Sequence, residues 1–190
     1  MKQRIEALRA LLSAYQPACD QEASHLLRMR ALADGNGDPL SRDYFQPGHF
    51  TASAFVLSPD SRRVLLVLHR KLGRWLQPGG HIDAEDRDLL AAARREVVEE
   101  TGVTELTEIS AGVFDLDIHP IPARGTEPAH EHFDVRFLLR ADSEAIVRND
   151  ESHDAAWVGF DELAERMHDP CEARVVGKLQ RLGRRLQKQA

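Results

Sequence analysis

The segment Arg95-Glu96-Val97-Val98-Glu99-Glu100-Thr101-Gly102 constrains this chain more than any other. Each residue of an α-helix advances by roughly 100°, so Glu96, Glu99 and Glu100 project within roughly a quarter to a third of the circumference. Leu90, Ala91, Val97 and Val98 form an apolar stripe on the other side. Such a helix packs one face on a sheet and lines a cleft with the other. Ala92 and Ala93, one turn before Glu96, leave room for a ligand on the acidic side. Like charges at this spacing cost a helix a few tenths of a kcal/mol, a penalty that a hard cation such as Mg²⁺ or Mn²⁺ would remove. Taken alone, the pattern also fits a solvated acidic face.

The neighbouring residues narrow the choice. Gly79-Gly80 precede the helix as a tight turn, and Asp83, Glu85, Asp86 and Asp88 crowd its start, where the helix dipole favours negative charge. Gly102 stands where a helix stop needs the left-handed region. This order, from Lys71-Leu72-Gly73-Arg74-Trp75-Leu76-Gln77-Pro78 through Gly80 to Val103, resembles the signature box of the Nudix hydrolases. The half from Arg95 to Val103 matches at every defining position. The first half departs from it. The spacing from Gly80 to Arg95 is one residue longer than the family box uses, and Asp86 stands where the box has glutamate, with Glu85 beside it as a substitute.

The resemblance implies an α/β fold, a Nudix-type α/β/α sandwich with a mixed sheet, occupying residues 46–190 behind an N-terminal helical extension, residues 1–45. It implies a metal-dependent pyrophosphohydrolase that cleaves the diphosphate of a nucleoside diphosphate linked to another group. Carried over residue by residue, Glu99, Glu100 and the Gly79 carbonyl would ligate Mg²⁺ or Mn²⁺. Glu96 would ligate through water or act as general base, and Arg95 would orient the glutamates. Glu151 fits a further ligand from a later loop, with Asp134 and Asp154 as rivals. Arg70, Arg74, His132 and Asp134 are candidates for substrate contact, and Trp75 either stacks on a base or belongs to the core. The alternative is a nucleotide sensor without turnover, against which the intact glutamates argue. An isomerase on this fold would need an active-site cysteine, and Cys19 and Cys171 fall outside the strand region.

Composition agrees with a globular enzyme domain. The chain has 190 residues and a net charge of −6, which disfavours nonspecific nucleic-acid binding. No apolar run approaches the roughly 20 residues that span a bilayer. The start reads as an amphipathic helix and not as a signal peptide. Two cysteines far apart suggest neither a disulfide framework nor a cysteine zinc site, so a reducing cytoplasm is the simplest location.

Periodicity supplies the elements. Ile5, Leu8, Leu11, Leu12 and Tyr15 predict a first helix, stopped by Pro17, and a second runs from about Asp20 to Ala33. Thr51–Leu57 and Val64–His69 read as a hairpin around Ser58-Pro59-Asp60-Ser61. Trp75–Pro78, Ile109–Ile118, Phe133–Leu139 and Trp157-Val158 read as further strands, with a loop from His119 to His130. Helices follow near Asp161–Met167 and Cys171–Gln187.

In the last helix Val175, Leu179, Leu182 and Leu186 form a seam, and its remaining surface is basic. Packing on the core is the leading reading; a homodimer seam or a nucleic-acid contact are the others. The histidines His49, His69, His81, His119, His130 and His132 group around the expected cleft. Along one strand His130, His132, Asp134 and Arg136 point one way, while Phe133, Val135 and Phe137 point into the core. The polar set reads as substrate or phosphate contact, as a solvent-facing edge, or as a zinc or iron site from His130, His132 and Asp134.

Overall fold

The apolar spacing at the N-terminus produces two helices, α1 (Lys2–Ala14) and α2 (Asp20–Asp34). Leu8 and Leu12 of α1 and Leu26, Met29 and Leu32 of α2 are buried at the expected helical intervals. The turn between them is held by a buried carboxylate: Glu22 accepts from the Tyr15 hydroxyl at 2.6 Å and from the Ala18 amide at 2.8 Å. These coordinates are a computed structural model describing residues 2–69, 73–147, 154–168 and 172–188. Arg70, Glu151 and Cys171 therefore lie outside the described residues.

The strands are β1 (Gly48–Leu57), β2 (Arg63–His69), β3 (Arg74–Leu76), β4 (Gly79–His81), β5 (Leu106–Glu108), β6 (Asp115–Ile121), β7 (His130–Ala141) and β8 (Ala155–Gly159). The helices α3 (Leu89–Thr101), α4 (Leu163–Arg166) and α5 (Ala173–Gln187) complete the α/β fold. Strands follow the order β3-β2-β1-β7-β5, with β4 on β1, β6 on β7 and β8 on β2.

Two compact units share these elements. The first takes in the chain up to Ser53, then Gly79–Arg94 and Ser110–Phe137. Within it β4 pairs with β1 (Thr51↔His81, Ser53↔Gly79), and β6 pairs with β7 from Asp115↔Arg136 to Ile121↔His130. Helix α2 packs on β6, and His25 Nδ1 lies 3.1 Å from the Leu116 carbonyl. The second unit takes in Ala54–Pro78, Arg95–Ile109 and the chain from Leu138 onward. There the expected hairpin is present (Val56↔Leu65), and β2 also pairs with β3 and with β8. Helix α5 packs through Val175, Val176, Leu179 and Leu182, while Arg181, Arg184 and Arg185 stay exposed. Gly183 admits the Phe160 ring so closely that a Cβ would sit 2.5 Å from it.

Several boundaries differ from expectation, each for a local reason. Of the expected strand Ile109–Ile118 only the part from Asp115 is extended, as β6; β5 ends before it, and Gly112 stands in the left-handed region at φ +93° between them. β7 starts at His130, three residues early, because its ladder with β6 continues to Ile121. Gly79-Gly80 are not a turn. They form β4, extended along β1, and a Cβ on Gly79 would sit 2.2 Å from the Ser53 Cβ. The glycine is required by close backbone approach rather than by a bend.

Candidate active site

Helix α3 begins later than the acidic run suggested. Asp88 caps it, its Oδ1 accepting from the Ala91 amide at 2.8 Å. Asp86 is buried in the preceding loop and accepts from the Asp83 amide at 2.8 Å, so it closes the loop and does not join the first helical turn. At the other end Gly102, at φ +71°, donates to the Val98 carbonyl at 2.8 Å and stops the helix as expected.

The buried face of α3 corrects the expected stripe. Leu89, Ala92, Ala93, Val97 and Thr101 are buried, whereas Leu90 and Ala91 are half-buried and Val98 is exposed. At roughly 100° per residue, Glu96 and Glu100 fall inside the buried arc and Glu99 at its edge. The glutamates therefore do not form a solvated face. The Glu96 side chain is only 15% exposed and that of Glu99 46%. One nitrogen, Arg95 Nη1, donates to Glu96 Oε1 and Glu99 Oε2, both at 2.9 Å. A part-buried carboxylate is costly without a counter-charge. This set of oxygen donors fits a hard divalent cation.

A second arginine–carboxylate group lies in the first unit, where alternation alone suggested a polar face. Arg136 is 2% exposed; its Nε bonds Asp134 at 2.9 Å and its Nη2 bonds Asp117 at 3.1 Å, with Asp115 3.5 Å from Nη1. The Thr51 and Ser53 hydroxyls donate to the two oxygens of Asp134, at 3.1 and 2.8 Å. Burial alone would raise the Asp117 carboxyl, but the Arg136 guanidinium, helped by His119 bonded at 3.0 Å, holds it well below the usual carboxylate range. The polar side of β7 is thus interior, not solvent-facing.

The same unit gathers histidines from four strands. Register sets His119 opposite His132 and His81 opposite Thr51, two residues along β1 from His49. Ring centroids of His49 lie 5.1 Å from His81, 5.0 Å from His130 and 4.8 Å from His132. Burial is the chief cause that lowers three of these rings, neighbouring positive charge the next: His49 to about 4 and His132 to about 2, with His81 lowered as well. His49 and His132 are therefore neutral at physiological pH.

Of the other expected contacts, Arg74 stands half-buried on β3 opposite His69. Trp75 is half-buried, with the Arg166 guanidinium 5.3 Å over its ring. Asp154 Oδ1 accepts from the Ala155 amide at 3.1 Å. Gly79 belongs to the first unit and Glu96, Glu99 and Glu100 to the second. The sequence already groups His49 and His81 with His119, His130 and His132, but which rings meet is not legible in it, because they come from different strands. The expected trio of His130, His132 and Asp134 does not assemble, since Asp134 is turned to Arg136, Thr51 and Ser53.

Comparison with known proteins agrees with the box. The NUDIX domain family matches residues 47–179, and the chain belongs to that family. Membership makes it a hydrolase of the pyrophosphohydrolase class. Among solved structures, a NUDIX-family hydrolase from Clostridium perfringens is 24% identical with a TM-score of 0.52, covering 70% of this chain and 97% of its own. The dihydroneopterin triphosphate pyrophosphohydrolase of E. coli is 18% identical with a TM-score of 0.55, covering 71% and 95%. A C. elegans Ap4A hydrolase in a binary complex is 17% identical with a TM-score of 0.51, covering 73% and 98%. At these identities the likeness concerns the fold. No curated protein matches the sequence.

Proposed function

We propose that this protein hydrolyses the diphosphate linkage of a nucleoside diphosphate joined to a further group, using Mg²⁺ or Mn²⁺ held by Glu96, Glu99 and Glu100. The observation that carries this reading is the placing of Glu96 and Glu100 within the buried arc of α3, with Glu96 and Glu99 joined through one arginine nitrogen. The resemblance adds the Gly79 carbonyl and, from a later loop, Glu151 as further proposed donors, with Asp134 and Asp154 as rivals to Glu151. When bound, the cation supplies charge neutralisation at the phosphate oxygens and lowers the pKa of a water.

The chain's own residues do the rest. Glu96, largely shielded from solvent, accepts the proton of the attacking water as general base. Arg95 fixes the rotamers of Glu96 and Glu99 through charge-assisted bonds, so that the carboxylates keep one geometry. Arg70, Arg74, His132 and Asp134 are proposed to contact substrate, Asp134 indirectly through the groups that bond it.

Nucleoside triphosphates, nucleotide sugars and dinucleoside polyphosphates all present the required linkage. The printed names of two structural relatives, a triphosphate pyrophosphohydrolase and an Ap4A hydrolase, support that range. The test is a panel of these compounds with Mg²⁺ or Mn²⁺, following release of phosphate or nucleoside monophosphate. Turnover should collapse in Glu100→Gln. Unchanged turnover in that variant would refute the metal assignment, and tight nucleotide binding with no turnover on any compound would favour the sensor.

A further inference from the structure

We propose that His49, His81 and His132 form a nitrogen-donor site for a divalent first-row transition cation of the zinc class. One ring nitrogen from each of the three lies within 4.8 Å of the other two. Metal–nitrogen bonds of about 2.0–2.1 Å place tetrahedral donors about 3.4 Å apart, so side-chain rotation of about an ångström closes the group on an ion. Three imidazoles leave a fourth position for water or a further donor.

The state of His49 is the independent observation. Its ring is 1% exposed, and Nδ1 lies 3.2 Å from the Tyr44 carbonyl. A carbonyl only accepts, so Nδ1 carries the proton and Nε2 carries the lone pair. That Nε2 is buried and meets no hydrogen-bond partner among the described residues. A buried polar atom without a partner costs about 1–3 kcal/mol, and native proteins keep few of them. A metal ligand is the arrangement in which the cost disappears. Histidine ligands typically bond a backbone carbonyl through the other nitrogen, which fixes tautomer and ring orientation.

The surroundings favour a cation of intermediate softness over Mg²⁺. No carboxylate belongs to the trio, and imidazole suits zinc, copper, iron and nickel, while carboxylate and carbonyl oxygens suit magnesium. His119 and His130 border the group, with ring centroids 5.5 and 5.3 Å from His132. Each is anchored by Nδ1, to Asp117 at 3.0 Å and to the Pro128 carbonyl at 2.9 Å. The site is separate in chemistry from the glutamates of α3, and its occupation does not require them.

Uptake of Co²⁺ and Zn²⁺ by the full chain tests this, read by elemental analysis after dialysis and by the visible ligand-field bands of Co²⁺. One equivalent should bind in excess Mg²⁺, with bands typical of nitrogen ligation. His132→Gln should weaken uptake by at least about 100-fold, beyond the ~10–100-fold loss that follows removal of a merely supporting contact. The Glu96→Gln, Glu99→Gln, Glu100→Gln triple variant should keep it. Loss in the glutamine triple variant with retention in His132→Gln would overturn the proposal. So would binding of inorganic phosphate with no cation uptake. Should His132→Gln fail to fold, imidazole nitrogen shifts of the wild-type chain on Zn²⁺ addition decide: three rings must shift together, and no shift refutes the site.

Discussion

The described residues include two arginine–carboxylate groups of opposite character, one around Arg136 and one around Arg95. Around Arg136 all three nitrogens of the guanidinium face Asp134, Asp117 and Asp115, the arginine is 2% exposed, and two hydroxyls close off Asp134. Around Arg95 one nitrogen serves two glutamates, and the arginine and Glu99 side chains are 24% and 46% exposed. The first group is saturated and rigid. The second is more open to solvent. The same kind of pairing therefore gives a structural clamp in one place and a candidate reaction centre in the other, and burial makes the difference.

Breaking each group should separate the two roles. Glu96→Gln should cut kcat by about 100- to 10,000-fold, the usual range for loss of a general base, with an unchanged thermal midpoint. Arg136→Met should do the reverse at the level of stability. It leaves buried carboxylates uncompensated and should cost about 3–5 kcal/mol in urea unfolding. An Arg136→Met protein as stable as wild type would end the comparison. Ser53→Ala removes one donor to Asp134 and should cost about 1 kcal/mol in the same assay.

Acid should also discriminate. Because Asp117 is held below its ordinary value of 3.8, its contribution to stability is full above about pH 4 and is lost as pH falls toward the folded value. The stability gap between wild type and Asp117→Asn should shrink below pH 4. A gap independent of pH would remove Arg136 as the cause. Arg95→Met comes last, at about 1 kcal/mol or less, since partly exposed pairs contribute little.

What was legible in sequence follows from how local each cause is. The helical spacing of Leu8 and Leu12, the hairpin of β1 and β2, and the stop at Gly102 depend on near neighbours, and all three are present. The glutamates of α3 were legible as a group, but their placing on the buried side was not. Reading apolar residues inward put Val98 in the core, whereas Ala92 and Ala93 line the buried arc and Val98 is exposed. The β4 strand was misread as a turn because its cause, the Ser53 backbone, lies far away in sequence. Asp134 looked available for ligands for a similar reason: Thr51 and Ser53, which claim it, are more than eighty residues distant.

The loop ahead of α3 has a consequence for how such a chain tolerates change in length. Asp86 folds the loop back on Asp83, and the helix is started afresh by its Asp88 cap. The angular phase of Glu96, Glu99 and Glu100 is therefore counted from the cap and not from Gly80. The loop works as an expansion joint. A residue can enter or leave it across evolutionary time, as the longer spacing here records, while the carboxylates beyond keep their bearing.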